Sequence, residues 1–242
     1  MVKIVFYYFY AKVSFFSENE ICFIEKMRNF APIIKQISTT MKRFVIALMM
    51  FIPMLTFAQD NAWEQTNTNL KPNRNPKYLA GAVPEVDGKV VFSKTIQAPG
   101  KTKEQIYNII LTEFYSMTQE SNQFEQSRVV LADSINHNQI VGNYQEWLVF
   151  KNKPLILDRT RFFYHLIANI KDGEATIQMT RIYYLYDEER IPTTFKAEEW
   201  INDRYGLNNK KTKTSRVSGK FRIKTIDRKD FIFNKLETLL TK

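Results

Sequence analysis

The sequence predicts an α+β fold in which an antiparallel sheet carries helices on one face, in the order strand, helix, four strands, helix. Three observations predict it. Ile106, Ile110, Phe114 and Met117 recur at helical spacing behind Thr102 and Gln105, the pair of a capping box. Four successive segments, residues 127–133, 139–150, 159–171 and 174–187, alternate apolar and polar residues in the two-residue period of strands. Ile232, Leu236, Leu239 and Leu240 restore a helical period at the C-terminal end.

The first strand is predicted near Val90, Phe92, Thr95 and Ile96, ending at the turn Ala98-Pro99-Gly100. The helix that follows buries its apolar stripe, a core face rather than a cofactor site. Between the last two strands, Asp172-Gly173 is the pair favoured in a two-residue type I′ turn, where both central residues need positive φ. Fixing the turn fixes the register. Lys171 then opposes Glu174, and one face carries Ile170, Ala168, Leu166, Tyr164 and Phe162 against Ala175, Ile177, Met179, Arg181 and Tyr183. The other face carries His165 opposite Thr180, Phe163 opposite Ile182, and Arg161 opposite Tyr184. A slip by one residue would exchange the two faces. The first is expected under helices, the second open to solvent.

After Pro192, residues 194–205 are expected to form a short amphipathic helix through Phe195, Trp200 and Ile201. A basic stretch over 210–224 then leads to the final helix, with Asp227 as its cap and Asp230 at the positive end of its dipole.

The chain has 242 residues and a formal charge of +10. Met41-Lys42-Arg43, the apolar run Phe44 to Phe57 and the small Ala58 before Gln59-Asp60 together read as an export signal cleaved near Ala58. A spanning helix needs about 20 apolar residues, more than this Pro53-interrupted run offers, so no transmembrane anchor is expected in the mature form. Residues 1–40 are expected to be upstream sequence joined by a mistaken start, and 59–86 a flexible linker, rich in Asn and carrying Pro72, Pro76 and Pro84. The single domain is expected over 87–242, with its core over 87–188 and a helical, basic part over 193–242. Localisation is expected to be periplasmic or extracellular. Cys22 is the sole cysteine and lies before the cleavage point, which excludes thiolate chemistry from the mature form.

The stretch Val83-Pro84-Glu85-Val86-Asp87-Gly88-Lys89, the helix over 102–119 and Tyr183-Tyr184, in this order of elements behind an export signal, resemble a family of secreted bacterial domains of unknown function with a TATA-binding-protein-like fold. The resemblance covers roughly 83–187. It implies a curved antiparallel sheet with helices on one face, and no activity, functional residue or DNA binding.

No catalytic residue, metal site or cofactor is expected. There is no Gly-x-Ser-x-Gly elbow or His-x-x-x-His pair, and His137 reads as a loop residue between Asn136 and Asn138. Asp158, Glu146 and His165 are the only acid-base candidates, and no spacing brings them together. The expected binding surface is the open face: Arg161, Phe163, His165, Ile167, Gln178, Ile182 and Tyr184, for a peptide, a small ligand or an envelope protein. The competing arrangement has the helix after Thr194 or the N-terminal arm covering it. The basic Lys210, Lys211, Lys213 and Arg216 are expected as an anionic-surface contact, with lipid or lipopolysaccharide rather than nucleic acid. An enzyme of unknown reaction is the remaining alternative.

Overall fold

Two short strands, β1 (Glu85–Val86) and β2 (Lys89–Val90), form a hairpin ahead of β3 (Phe92–Gln97) and helix α1 (Lys103–Thr118). Four strands follow: β4 (Arg128–Ala132), β5 (Gln139–Lys153), β6 (Ile156–Lys171) and β7 (Glu174–Tyr186). Strand β8 (Thr193–Lys196), the single turn α2 (Ala197–Trp200) and the long helix α3 (Gly219–Thr241) complete the chain. This is a computed structural model, and it describes residues 70–153 and 156–242. The expected upstream extension, the export signal and residues 59–69 lie outside the described residues.

The main sheet is antiparallel with strand order β3-β7-β6-β5-β4, and β8 pairs with the second half of β7. Helices α1 and α3 pack on the same face and on each other. Between them and the sheet lie Ile110, Phe114, Tyr144, Phe162, Tyr164, Tyr184 and Phe221, all within the buried core. Each such side chain stabilises the fold by about 1.5–3 kcal/mol on leaving water. The order strand, helix, four strands, helix stands as predicted, and α1 starts on the capping box that Thr102 and Gln105 form.

The hairpin register holds from Lys171↔Glu174 to His165↔Thr180 and then shifts, so that Phe163 faces Tyr183, Phe162 faces Tyr184 and Arg161 faces Leu185. The extra residue belongs to β7, where Arg181 takes φ +53°, a left-handed conformation inside a strand. Such a bulge resets the alternation beyond it. Ile182 and Tyr184, expected on the open face, are therefore turned to the core face and are 1% and 0% exposed. The Tyr184 hydroxyl shares a 2.7 Å hydrogen bond with Thr225 Oγ1 of α3.

The hairpin turn also departs from type I′. Gly173 has φ +74°, while Asp172 is not left-handed. Contacts outside the hairpin select this form: Asp172 Oδ1 accepts from Lys103 N (2.8 Å), and Gly173 N donates to the Lys101 carbonyl (3.1 Å). The turn with both central residues left-handed is Asp87-Gly88, between β1 and β2.

Three further expectations are corrected. From Leu70 onward the expected linker is docked: Tyr78 and Val83 are buried, and Tyr78 Oη donates to Asp227 (2.8 Å). Arg222, 0% exposed, fixes this arm by donating to the carbonyls of Tyr78 and Leu79 and to Asp203. Helix α3 begins at Gly219, eight residues before the expected cap Asp227, which instead binds Lys77 and Tyr78. The expected helix over 194–205 is mostly β8 and a single turn, whose Phe195 and Trp200 stack at 3.9 Å and pack toward Phe221.

Candidate recognition surface

Strand alternation delivers two opposed faces. On β6, Thr160, Phe162, Tyr164, Leu166, Ala168 and Ile170 enter the core, while Arg159, Arg161, Phe163, His165 and Ile167 project to the other side and are half-buried. Among the described residues no helix covers that second face. Neither segment expected to cover it does so: β8, α2 and the arm from Leu70 all pack toward α3.

Register brings together residues far apart in sequence. Trp147 of β5 is the cross-strand partner of Arg161, and Phe163 that of Tyr183. The Phe163 and Tyr183 rings stack with centroids 4.2 Å apart and planes 7° from parallel. The Arg159 guanidinium lies 3.8 Å from the Trp147 ring centroid and that of Arg161 lies 4.1 Å from Phe124. Phe124 in turn packs on Trp147 at 5.0 Å. Each cation–ring contact contributes on the order of 0.5–2 kcal/mol. Glu188 closes an ion pair on Arg161 (2.8 Å) and Glu189 one on Arg159 (3.3 Å). The cluster is therefore pre-arranged, with its aromatic and guanidinium groups held by one another.

A loop around the β5 edge sets Phe124 in place. Phe124 N donates to the Gln145 carbonyl (2.8 Å) and Trp147 N to the Asn122 carbonyl (3.1 Å). On the core side, Asn122 and Gln123 donate to the buried Glu146 carboxylate at 2.9 and 2.8 Å. The same loop is thus clamped to the core at two residues and presents a ring to the open face at the next.

His165 sits in the middle of the face with Asn143 and Thr180 as its cross-strand partners. Burial lowers its pKa below the ordinary 6.5, and the nearby Arg181 guanidinium lowers it further. The imidazole is consequently neutral at neutral pH. Asp158, Glu146 and His165 are not brought together: Glu146 faces the core beside Arg228, and Asp158 pairs with Lys220 at 2.7 Å. Among the described residues no group of three or more His, Cys, Asp and Glu is placed to hold a metal ion.

Of the predicted surface, Arg161, Phe163, His165, Ile167 and Gln178 share the open face, whereas Ile182 and Tyr184 do not. The reading from sequence missed Phe124, Trp147, Arg159 and Tyr183. Trp147 was discoverable only by registering β5 on β6, and a bulge between Val149 and Lys151 shifts that register; Arg159, two residues before Arg161 on β6, follows from the same strand alternation. Lys210, Lys211 and Arg216 are exposed and Lys213 is half-buried, in a loop whose Asn208 Oδ1 accepts from Thr212 N and Lys213 N. A separate cleft of about 470 Å3 lies between β3 and α3. Its lysines are already neutralised: Lys77 binds Asp227 and Asp230, and Lys94 binds Glu237.

Residues 92–185 match the family described as a domain of unknown function (DUF4468) with TBP-like fold. The chain is similar to a crystal structure of a DUF4468 family protein from Bacteroides ovatus ATCC 8483, with 40% identity and a TM-score of 0.64 over 69% of this chain and 94% of that one. It shares the fold of a TBP-like protein from Parabacteroides distasonis ATCC 8503, at 20% identity and a TM-score of 0.51 over 65% of this chain and 96% of that one. No curated protein matches the chain.

Proposed function

This chain belongs to the DUF4468 family, whose fold carries no stated activity, and we propose that it is an exported, non-catalytic envelope module that recognises a partner protein through its open sheet face. The observation that carries this reading is the cluster of Phe124, Trp147, Arg159, Arg161, Phe163 and Tyr183 on a face without a helix among the described residues. Tryptophan, tyrosine and arginine dominate the energetics of protein interfaces because they offer large contact area with few rotamers to freeze. The export part of the reading is supported by the signal-like pattern of residues 41–58. Among the described residues no helix is long and apolar enough to cross a membrane.

A photo-crosslinking phenylalanine analogue at position 183 tests the reading in the native cell, against the same group at Tyr115, an exposed residue of α1. Position 183 should yield a discrete adduct that position 115 does not. Equal labelling from both would refute a specific face. N-terminal sequencing tests export: a mature end near Gln59 is required, and an intact product confined to the cytoplasm would refute it.

A second reading is favoured by one observation. Lys210, Lys211 and Arg216 are exposed and make no ion pair among the described residues, as a contact with anionic headgroups requires. Retention on phosphatidylglycerol vesicles that falls steeply with salt would support it, and salt-independent or absent retention would exclude it.

A further inference from the structure

The register places Arg128 of β4 beside Asn143 of β5, Asn143 beside His165 of β6, and His165 beside Thr180 of β7. Cross-strand partners share a face, so these residues form one row across the open face, with Arg181 at its end. Arg159 and Arg161, one strand-turn away, are neutralised by Glu189 and Glu188. Arg128 and Arg181 are exposed and make no ion pair among the described residues. The row therefore carries positive charge that the fold does not use.

Arg181 adds a second, independent observation. It holds φ +53° at a bulge position where glycine is the usual occupant. A side chain here costs conformational energy, and among the described residues no contact of its guanidinium offsets that cost. Backbone strain of this kind is concentrated where a side chain is being aimed at a ligand. The Arg181 charge, at the end of the row, adds to burial in lowering the His165 pKa.

We propose that Arg128, Asn143, His165 and Arg181 form a carboxylate-binding row, and that its occupant is an extended segment of a partner protein with acidic residues four positions apart. The spacing selects this occupant. Arg128 and Arg181 stand three strands apart, about 14 Å at about 4.8 Å per strand, and same-side residues i and i+4 of an extended chain are separated by about 13 Å. The neighbouring Phe163–Tyr183 stack and Ile167 supply apolar contact for the residue between the two acids. The inference rests on the open-face reading above and specifies its ligand chemistry.

The test uses the full chain and three probes: acetyl-Glu-Thr-Phe-Thr-Glu-amide, its glutamine counterpart acetyl-Gln-Thr-Phe-Thr-Gln-amide, and inorganic phosphate. Amide shifts on adding the acidic peptide should centre on Asn143, His165 and Thr180. Its affinity should fall at least about tenfold in Arg181→Gly and in Arg128→Gln, and the glutamine peptide should bind at least about tenfold more weakly than the acidic one. Arg181→Gly relieves the backbone, so a loss of binding there is not a loss of folding; Arg128→Gln, at an exposed edge position, is the second control. Equal affinity for both peptides would overturn the carboxylate row while leaving the open face standing. So would shifts confined to the loop around Lys210, no binding at all, or full affinity in both variants. Displacement of the peptide by equimolar phosphate would make the row a simple anion site and overturn the peptide occupant. The adduct from position 183 reports on the open-face reading separately.

Discussion

Glu146 of β5 and Arg228 of α3 form an ion pair in which neither side chain is exposed. Arg228 Nε donates to Oε1 and Nη2 lies beside Oε2, each at 2.8 Å. Burial raises the Glu146 pKa above its ordinary value and the Glu120 carboxylate adds to the rise, while Arg228 opposes it. Removing one partner of a buried pair costs about 3–5 kcal/mol, while replacing both by apolar residues of similar volume is often neutral. Urea unfolding of Arg228→Met should show a loss in that range, and the double change Arg228→Met with Glu146→Met should recover much of it. A single-variant loss below about 1 kcal/mol would contradict the buried pair.

The Arg181 and His165 pair makes a prediction about pH. His165 has a folded pKa below 6.5, with burial the larger cause and Arg181 the second. The folded state thus favours the neutral ring, so its contribution to stability is present above pH 6.5 and is lost as pH falls from 6.5 through the folded value. The chain has two histidines, so proton NMR resolves the titration directly. In Arg181→Gly the His165 midpoint should move up toward 6.5. An unchanged midpoint would place the guanidinium away from the ring.

Arg181→Gly should also leave stability unchanged or raise it by up to about 1.5 kcal/mol, since relief of a left-handed side chain returns about 1–2 kcal/mol and glycine's added freedom in the unfolded chain costs about 0.5–1 kcal/mol. Thermal unfolding checks this. A drop of more than about 1 kcal/mol would mean that the guanidinium holds the fold together.

Gly142 is tied to Tyr144 by close approach. A Cβ at position 142 would fall 2.4 Å from Tyr144 Cε2 and 2.7 Å from its hydroxyl oxygen. That ring is buried, donates to the Phe114 carbonyl (2.9 Å) and stacks on Tyr164, so it has no free direction in which to yield. Gly142→Ala should destabilise the protein by about 1–3 kcal/mol and lower its melting temperature, and a neutral result would contradict the packing.

What the sequence reveals here is whatever a local period or a cap encodes. Thr102 with Gln105 marks the start of α1, and two-residue alternation marks β4 to β7 within a few residues. The hairpin register is legible as far as His165. Beyond it an arginine in the left-handed region reverses the alternation, and no propensity signals such a conformation in an arginine. The start of α3 is hidden for a different reason. Arg222 reads as part of a basic stretch, and Arg228 gives no sign of burial, because their neutralising partners, Asp203, Glu120 and Glu146, come from other parts of the chain. The open-face cluster was half visible: Arg161, Phe163 and His165 alternate on one strand, whereas Phe124 arrives on a loop and Trp147 through a shifted register.

Methyl relaxation by a soluble gadolinium chelate, applied to the full chain, tests most directly whether the face on which recognition depends is open in solution. Ile167 and Ile177 lie on opposite faces of the sheet, the first half-buried and the second enclosed by the core. The Ile167 methyls should relax several-fold faster than those of Ile177. Equal protection of the two would mean that another part of the chain covers the face, and the recognition surface would not exist.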